Sequence, residues 1–252
     1  MSGAMNTAEH VTAQVTGPES LSAESRATAA HLAENYRVSP LDMVPNPSPL
    51  LVESTEEVAV PTPNGLFGLR AWRFADGAEH LSARALDRDG NPVPYEGGGV
   101  PAVRIHSECA TGDIFGSFRC DCGPQLENGL RIIGRTGGYL VYVRNHEGRG
   151  IGLVNKLRAY ALQDAGLDTL DANLALGLDG DMRDYSQAAL ILQELGVHEM
   201  RLVTNNPAKQ EALEGLGLRV TELIPDEIPA RVENAHYLHT KRERMHHLLE
   251  RA

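Results

Sequence analysis

Tyr139-Leu-Val-Tyr-Val143, Arg144-Asn-His-Glu-Gly-Arg-Gly-Ile-Gly152 and Leu153-Val-Asn-Lys-Leu-Arg-Ala-Tyr-Ala-Leu-Gln-Asp164 follow one another without a break. The first is a short continuous apolar run, which reads as a buried strand. The second is a Gly-rich charged turn, and the third carries a helix through Asn155 to Asp164. A strand that opens through such a turn into a helix is the repeating unit of α/β sheets. It also aims free backbone N–H groups at a point where phosphate can sit. The turn is neither a Gly-x-Gly-x-x-Gly fingerprint nor a Walker A sequence, so it indicates a fold more firmly than a ligand.

Upstream, Pro101 to Ile105 is a second short strand, and it delivers Arg104-Ile-His-Ser-Glu-Cys109-Ala-Thr-Gly-Asp-Ile-Phe-Gly-Ser-Phe-Arg-Cys120-Asp-Cys122-Gly123. This segment holds all three cysteines of the chain. An odd set of thiols cannot all pair in disulfides, and clustered thiolates suit a tetrahedral Zn²⁺. Two closures are open. Three cysteines leave a fourth position for water, the catalytic pattern, whereas His106 in that position makes a closed Cys₃His structural site.

The flanks extend the alternation. Val58 to Val60 and Leu66 to Phe74 read as strands around the turn at Pro61 to Gly65. Gln125 to Ile133 reads as a helix that Gly137-Gly138 ends. An amphipathic helix from Ser186 to Leu195 precedes a strand from Met200 to Thr204, and Pro207 starts the next helix. Leu218 to Leu223 is the last core strand. The basic, His-rich helix from Glu233 to Ala252 reads as a surface element or dimer contact. Strands alternating with helices predict a three-layer α/β/α domain over residues 50–252. Residues 1–49 read as a flexible N-terminal extension, proline-dense around a helical stretch at Ser22 to Tyr36.

With 252 residues and a net charge of −11, the chain is long enough for a large core and too acidic to grip nucleic acid through a broad basic face. No apolar run approaches the ~20 residues that a membrane span needs. No disulfide framework is visible, so the reducing cytoplasm is the expected compartment.

Six segments in this order resemble GTP cyclohydrolase II. They are His106-Ser-Glu-Cys-Ala-Thr-Gly-Asp113, Arg119-Cys-Asp-Cys-Gly123, Glu147-Gly-Arg-Gly-Ile-Gly-Leu153, Asn155 to Asp164, Asp181-Met-Arg-Asp-Tyr185 and Thr204-Asn-Asn-Pro207. The resemblance covers about 185 residues and implies a mixed sheet, a stand-alone form and a homodimer. It implies a zinc-dependent opening of the guanine imidazole ring of GTP, releasing formate and pyrophosphate in the first step of riboflavin biosynthesis. Cys109, Cys120 and Cys122 stand where the family binds its catalytic zinc. Tyr160, Asp181 and Arg183 stand at its catalytic positions. Arg183 is a nucleophile by family assignment and a phosphate clamp by residue chemistry. GTP binding is implied for Arg104, Ile105, His106, Ser107, Glu108, Gln125, Glu147, Gly148, Arg149, Thr169, Thr204 and Lys209, with Mg²⁺ on the triphosphate. Glu147 is the implied guanine reader. Taken without the resemblance, Arg149 and Lys209 are as well explained as solvated charges, Thr169 and Thr204 as helix caps, Tyr160 as packing and Asp181 as a turn residue.

Overall fold

The computed structural model describes residues 21–36, 47–245 and 247–249. Its strands are β1 (Leu51–Ser54), β2 (Val58–Thr62), β3 (Gly65–Phe74), β4 (Glu79–Leu86), β5 (Ala102–Ser107), β6 (Gly138–Val143), β7 (Glu199–Val203) and β8 (Arg219–Ile224). Its helices are α1 (Ala23–Asn35), α2 (Ala110–Asp113), α3 (Cys122–Thr136), α4 (Glu147–Gly150), α5 (Gly152–Asp164), α6 (Thr169–Ala175), α7 (Ser186–Glu194), α8 (Pro207–Gly215) and α9 (Ala235–Met245).

All eight strands form one mixed sheet in the order β1-β3-β4-β6-β5-β7-β8, with β2 also paired to β3. The first half is antiparallel, with β2–β3 and β3–β4 as hairpins and β1 and β6 pairing outside them. From β6 onward the pairs β6–β5, β5–β7 and β7–β8 are parallel. Parallel strands need crossover connections, and the stretches that become α2–α3, α4–α7 and α8 supply them. The carboxyl ends of β5, β6 and β7 therefore open on one edge, where α/β sheets place their ligands.

Both faces of the sheet are covered. Trp72, Val103, Ile105, Val141 and Met200 pack with Ala188, Ile191 and Leu192 of α7 and Leu213 of α8. On the opposite face Phe67, Ala83, Ala102 and Leu140 pack with Leu126, Leu130 and Ile133 of α3. A third cluster stands off the sheet, where Ala29 and Leu32 of α1 meet Ile151, Ala159, Leu162 and Ala172 around α5 and α6. The helix expected at Ser22 to Tyr36 is thus present and packed, with the Ser22 hydroxyl accepting from the Ser25 N–H at 3.0 Å as its cap. The remainder of the expected extension, residues 1–20 and 37–46, lies outside the described residues.

β4 has no counterpart in the sequence reading. Two of its buried positions are polar: Ser82 accepts from the Trp72 indole N–H at 2.9 Å, and His80 lies between Gln187 Oε1 at 2.7 Å and the Arg144 N–H at 3.1 Å. Satisfied in this way, they cost little to bury, yet they erase the apolar alternation that marks a strand. Among the described residues no helix is long and apolar enough to cross a membrane.

Candidate active site

Alternation along β5 sends Val103 and Ile105 into the core and turns Arg104 towards Gly129 of α3 and His106 towards Asp113 of α2. The strand ends at Ser107, and the chain folds into the single turn of α2. The Asp113 carboxylate holds this turn, accepting from the Cys109 N–H at 3.0 Å, the Tyr142 hydroxyl at 2.8 Å and His106 Nε2 at 3.1 Å. Cys120 and Cys122 arrive from the start of α3. Only glycines allow the two segments to meet so closely, because a Cβ on Gly123 would stand 2.4 Å from the Gly112 carbonyl oxygen.

The Sγ atoms of Cys109, Cys120 and Cys122 lie within 4.8 Å of one another, with Cys109 and Cys120 3.7 Å apart. A tetrahedron of ~2.3 Å Zn–S bonds has edges of about 3.8 Å, so the donor set fits zinc in spacing as well as in chemistry. Hydrogen bonds from the Cys120 and Cys122 thiols, with the Lys156 ammonium behind them, hold the Cys109 thiol well below its usual range. The same contact pushes Cys120 up to about 11 and Cys122 well above its ordinary value. A cation bound among them would favour the ionised form of all three thiols. His106 stays outside this cluster. Its Nε2–H is held by Asp113, and its Nδ1 is buried without a partner. Among the described residues the closed Cys₃His alternative is therefore not formed.

The triad forms one wall of a cleft that opens to solvent, the kind of concave, partly polar setting in which small-molecule sites are built. Tyr160 of α5 stands beside it, its hydroxyl 3.4 Å from Thr111 Oγ1 and its ring under the Arg119 guanidinium at 4.3 Å. Burial, opposed by the Lys156 charge, raises the Tyr160 pKa and keeps the phenol protonated.

Cations crowd the rest of the cleft. Arg104 donates to the Val203 carbonyl oxygen at 3.0 Å and to Gln125 Oε1 at 3.1 Å, and it makes a charge contact of 3.0 Å with Asp226. Burial, with Arg104 and Arg183 nearby, pushes the Lys209 ammonium well below its ordinary pKa; its Nζ donates to the Ile105 carbonyl oxygen at 2.8 Å. Arg149 has both terminal nitrogens buried and unpartnered. Its backbone is left-handed at φ 69°, held by the bond from the Met182 N–H to its carbonyl at 2.9 Å. Such a conformation in a non-glycine residue costs on the order of 1–3 kcal/mol and persists where the surroundings impose it. An unpaired buried guanidinium and an ammonium lining one cleft make a seat for a polyanion.

Arg183 Nε donates to Asp181 Oδ1 at 2.8 Å, and a second nitrogen closes on Oδ2. Burial works against the Arg183 charge, but Tyr185 and Asp181 more than offset it and raise the pKa, while Arg183 keeps Asp181 low. His146, missed from sequence, donates from Nε2 to the Asp184 carbonyl oxygen at 2.9 Å and accepts at Nδ1 from the Ser107 hydroxyl at 3.1 Å. Burial first, and then Arg183, lower its pKa to about 3.

Of the expected substrate residues, Arg104, His106, Ser107, Glu108 and Gln125 line the cleft, as do Gly148, Arg149, Thr169, Thr204 and Lys209. Asp181 borders it through Arg183. Ile105 is fully buried and offers only its carbonyl oxygen. Glu147 turns inward, where Lys156 takes one carboxylate oxygen and the Ala110 N–H the other at 2.6 Å. Both carboxylate oxygens of Glu147 thus have partners within the protein, and the residue does not line the cleft. The C-terminal segment also departs from expectation. Tyr237, Lys241 and His247 line the cleft, with Lys241 paired to Asp121 at 2.7 Å between two of the cysteines. His246, in the same segment, lies outside the described residues.

A family model described as GTP cyclohydrolase II matches residues 53–225. "Riboflavin biosynthesis protein RibBA" of Rhodococcus jostii (strain RHA1) is 52% identical over 198 residues, covering 78% of this chain and 47% of that protein. The protein of the same name from Mycobacterium tuberculosis (strain ATCC 25618 / H37Rv) is 51% identical over 197 residues, covering 78% and 46%. The chain thus spans about half the length of the curated relatives it matches. Among solved structures, RibBX, a two-domain 3,4-dihydroxy-2-butanone 4-phosphate synthase from A. baumannii, aligns with a TM-score of 0.36 and 18% identity, covering 78% of this chain and 44% of that one.

Proposed function

Since the chain belongs to the GTP cyclohydrolase II family, we propose that it hydrolyses GTP with zinc on Cys109, Cys120 and Cys122. The products are formate, pyrophosphate and 2,5-diamino-6-(5-phosphoribosylamino)pyrimidin-4-one, at the entry to riboflavin biosynthesis in the cytoplasm. The observation that carries this reading is the thiol triad opening onto a cleft lined by Arg149, whose terminal nitrogens are unpartnered, and by Lys209, a pair that suits a triphosphate.

When bound, zinc supplies the Lewis acidity that activates water against the guanine ring. The chain's own residues do the rest. Arg149 and Lys209 hold the phosphates, with Mg²⁺ on the triphosphate. Tyr160, kept protonated by burial, donates a proton during formyl hydrolysis. Arg183 is held charged by Asp181 and Tyr185, which suits a clamp that stabilises charge at the α-phosphorus and opposes a nucleophilic role. Gln125 and Thr204 position the nucleotide, and two such subunits form the working dimer.

The test is incubation of zinc-loaded protein with GTP and Mg²⁺, followed by mass spectrometry of the products and of the protein. The three products together support the reading, and a trapped guanylyl adduct on Arg183 would replace the clamp by covalent catalysis. Pyrophosphate with the formyl group retained would remove Tyr160 from the role given to it. Absence of turnover with zinc and nucleotide bound would overturn the activity.

A further inference from the structure

Lys156 stands one turn before Tyr160 on the same face of α5, aimed at the triad, and none of the roles above uses it. Its ammonium is buried and donates to Cys109 Sγ at 3.0 Å and to Oε1 of Glu147, which is closer still. The second oxygen of Glu147 accepts from the N–H of Ala110, the residue after Cys109, at 2.6 Å. The carboxylate is thereby fixed to the ligand segment and fixes the ammonium in turn. A buried ammonium is tolerated only with compensating anions, and here one of the two anions is a candidate metal ligand.

This placement matters for a tri-thiolate site. Three thiolates around a divalent cation leave a net negative charge, and electron-rich thiolates blunt the cation's pull on water. An N–H···S bond withdraws charge from sulfur, as outer partners of metal ligands generally tune the centre. We propose that Lys156, oriented by Glu147, is a positioning residue that neutralises the Cys109 thiolate and keeps the cation on the triad electrophilic. The inference rests on the zinc reading of the triad. It also gives Glu147 a function that its inward geometry allows.

The test uses the full chain loaded with Co²⁺, whose sulfur-to-metal charge-transfer absorption reports the thiolates directly. Lys156→Met is expected to move this band to lower energy, Lys156→Arg to hold it near the wild-type position, and Glu147→Gln to give an intermediate shift. Chelator competition should show Lys156→Met holding the cation at least as tightly as wild type, because a positive neighbour has been removed. In the zinc enzyme kcat should fall by about tenfold or more with KM little changed, the scale of outer-partner substitutions. A band unmoved in Lys156→Met, or a loss of metal binding in Lys156→Met and Lys156→Arg alike, would overturn the proposal and leave Lys156 as packing. If wild-type protein takes up no Co²⁺, the zinc reading falls and takes this inference with it. If it takes up Co²⁺ yet leaves GTP intact, only the cyclohydrolase activity falls, and the band still decides the role of Lys156.

Discussion

Replacing Gly112 with alanine drives a methyl group into the centre of the thiol triad. The new Cβ would lie 2.9 Å from Cys120 Sγ, 3.0 Å from the Cys122 Cβ and 3.1 Å from Cys109 Sγ. Ordinary carbon contacts are about 3.5–4.0 Å, so each neighbour must retreat by roughly half an ångström or more. Overpacking of this kind costs about 1–3 kcal/mol. Against it stands the helix preference for alanine over glycine, about 0.5–1 kcal/mol, and α2 is a single turn. Sterics win, and the loss falls on the metal because the side chains that can move are the ligands themselves. At 1.4 kcal/mol per factor of ten, a loss of about 1–3 kcal/mol weakens zinc binding in Gly112→Ala by about 5–140-fold. Competition against a chromogenic chelator measures this, with thermal unfolding of the metal-free protein as the control for general damage. Wild-type zinc affinity in Gly112→Ala would refute the assignment of Cys109, Cys120 and Cys122 to one site, since a metal held elsewhere has no reason to avoid that methyl group.

Gly138→Ala should destabilise the fold itself by more than about 3 kcal/mol, since the added Cβ would fall 1.9 Å from the Ala102 carbonyl oxygen at a φ of 138°; urea unfolding measures the loss, and a shift under 1 kcal/mol would contradict the β5–β6 register. Asp226 is fully buried and in charge contact with Arg104, so Asp226→Leu should cost about 3–5 kcal/mol by stranding the guanidinium, read from the midpoint of denaturant unfolding. His146 is neutral in the fold, with its pKa lowered to about 3, whereas the unfolded chain takes up its proton near 6.5. Between those values the unfolded state binds more protons, so stability falls with falling pH, by up to about 1.4 kcal/mol per unit. His146→Gln, whose amide can still donate and accept, should flatten that slope between pH 6.5 and 4; equal slopes in the two proteins would exclude His146 as the source.

Much of the parallel half of the sheet was legible in sequence because its signals are local. The apolar run at Tyr139 to Val143, the turn after it and the cysteine spacing each sit within a few residues. The resemblance then gathered Arg149, Thr204 and Lys209, which the fold brings to one cleft although no local pattern links them. What stayed hidden depends on distant partners. Ser82 and His80 disguise β4 because Trp72, Gln187 and Arg144 satisfy them. Glu147 reads as a free carboxylate until Lys156, nine residues on, folds against it. α9 looks like a solvated basic helix, yet Lys241 pairs with Asp121 and Arg244 with Asp168. A helix charge without a neighbour of opposite sign at i+3 or i+4 was the only hint available that its partner lay elsewhere.

The contrast between an acidic chain and its cation-lined cleft has a kinetic consequence. At a net charge of −11 the exterior repels a nucleotide triphosphate from afar, whereas Arg149 and Lys209 attract it once it enters the mouth. Salt screens the two fields unequally: the Debye length shrinks from about 30 Å at 0.01 M to about 10 Å at 0.1 M, and buried charges are shielded least. Added salt therefore lifts the repulsion first, and nucleotide capture should quicken over this range before it slows.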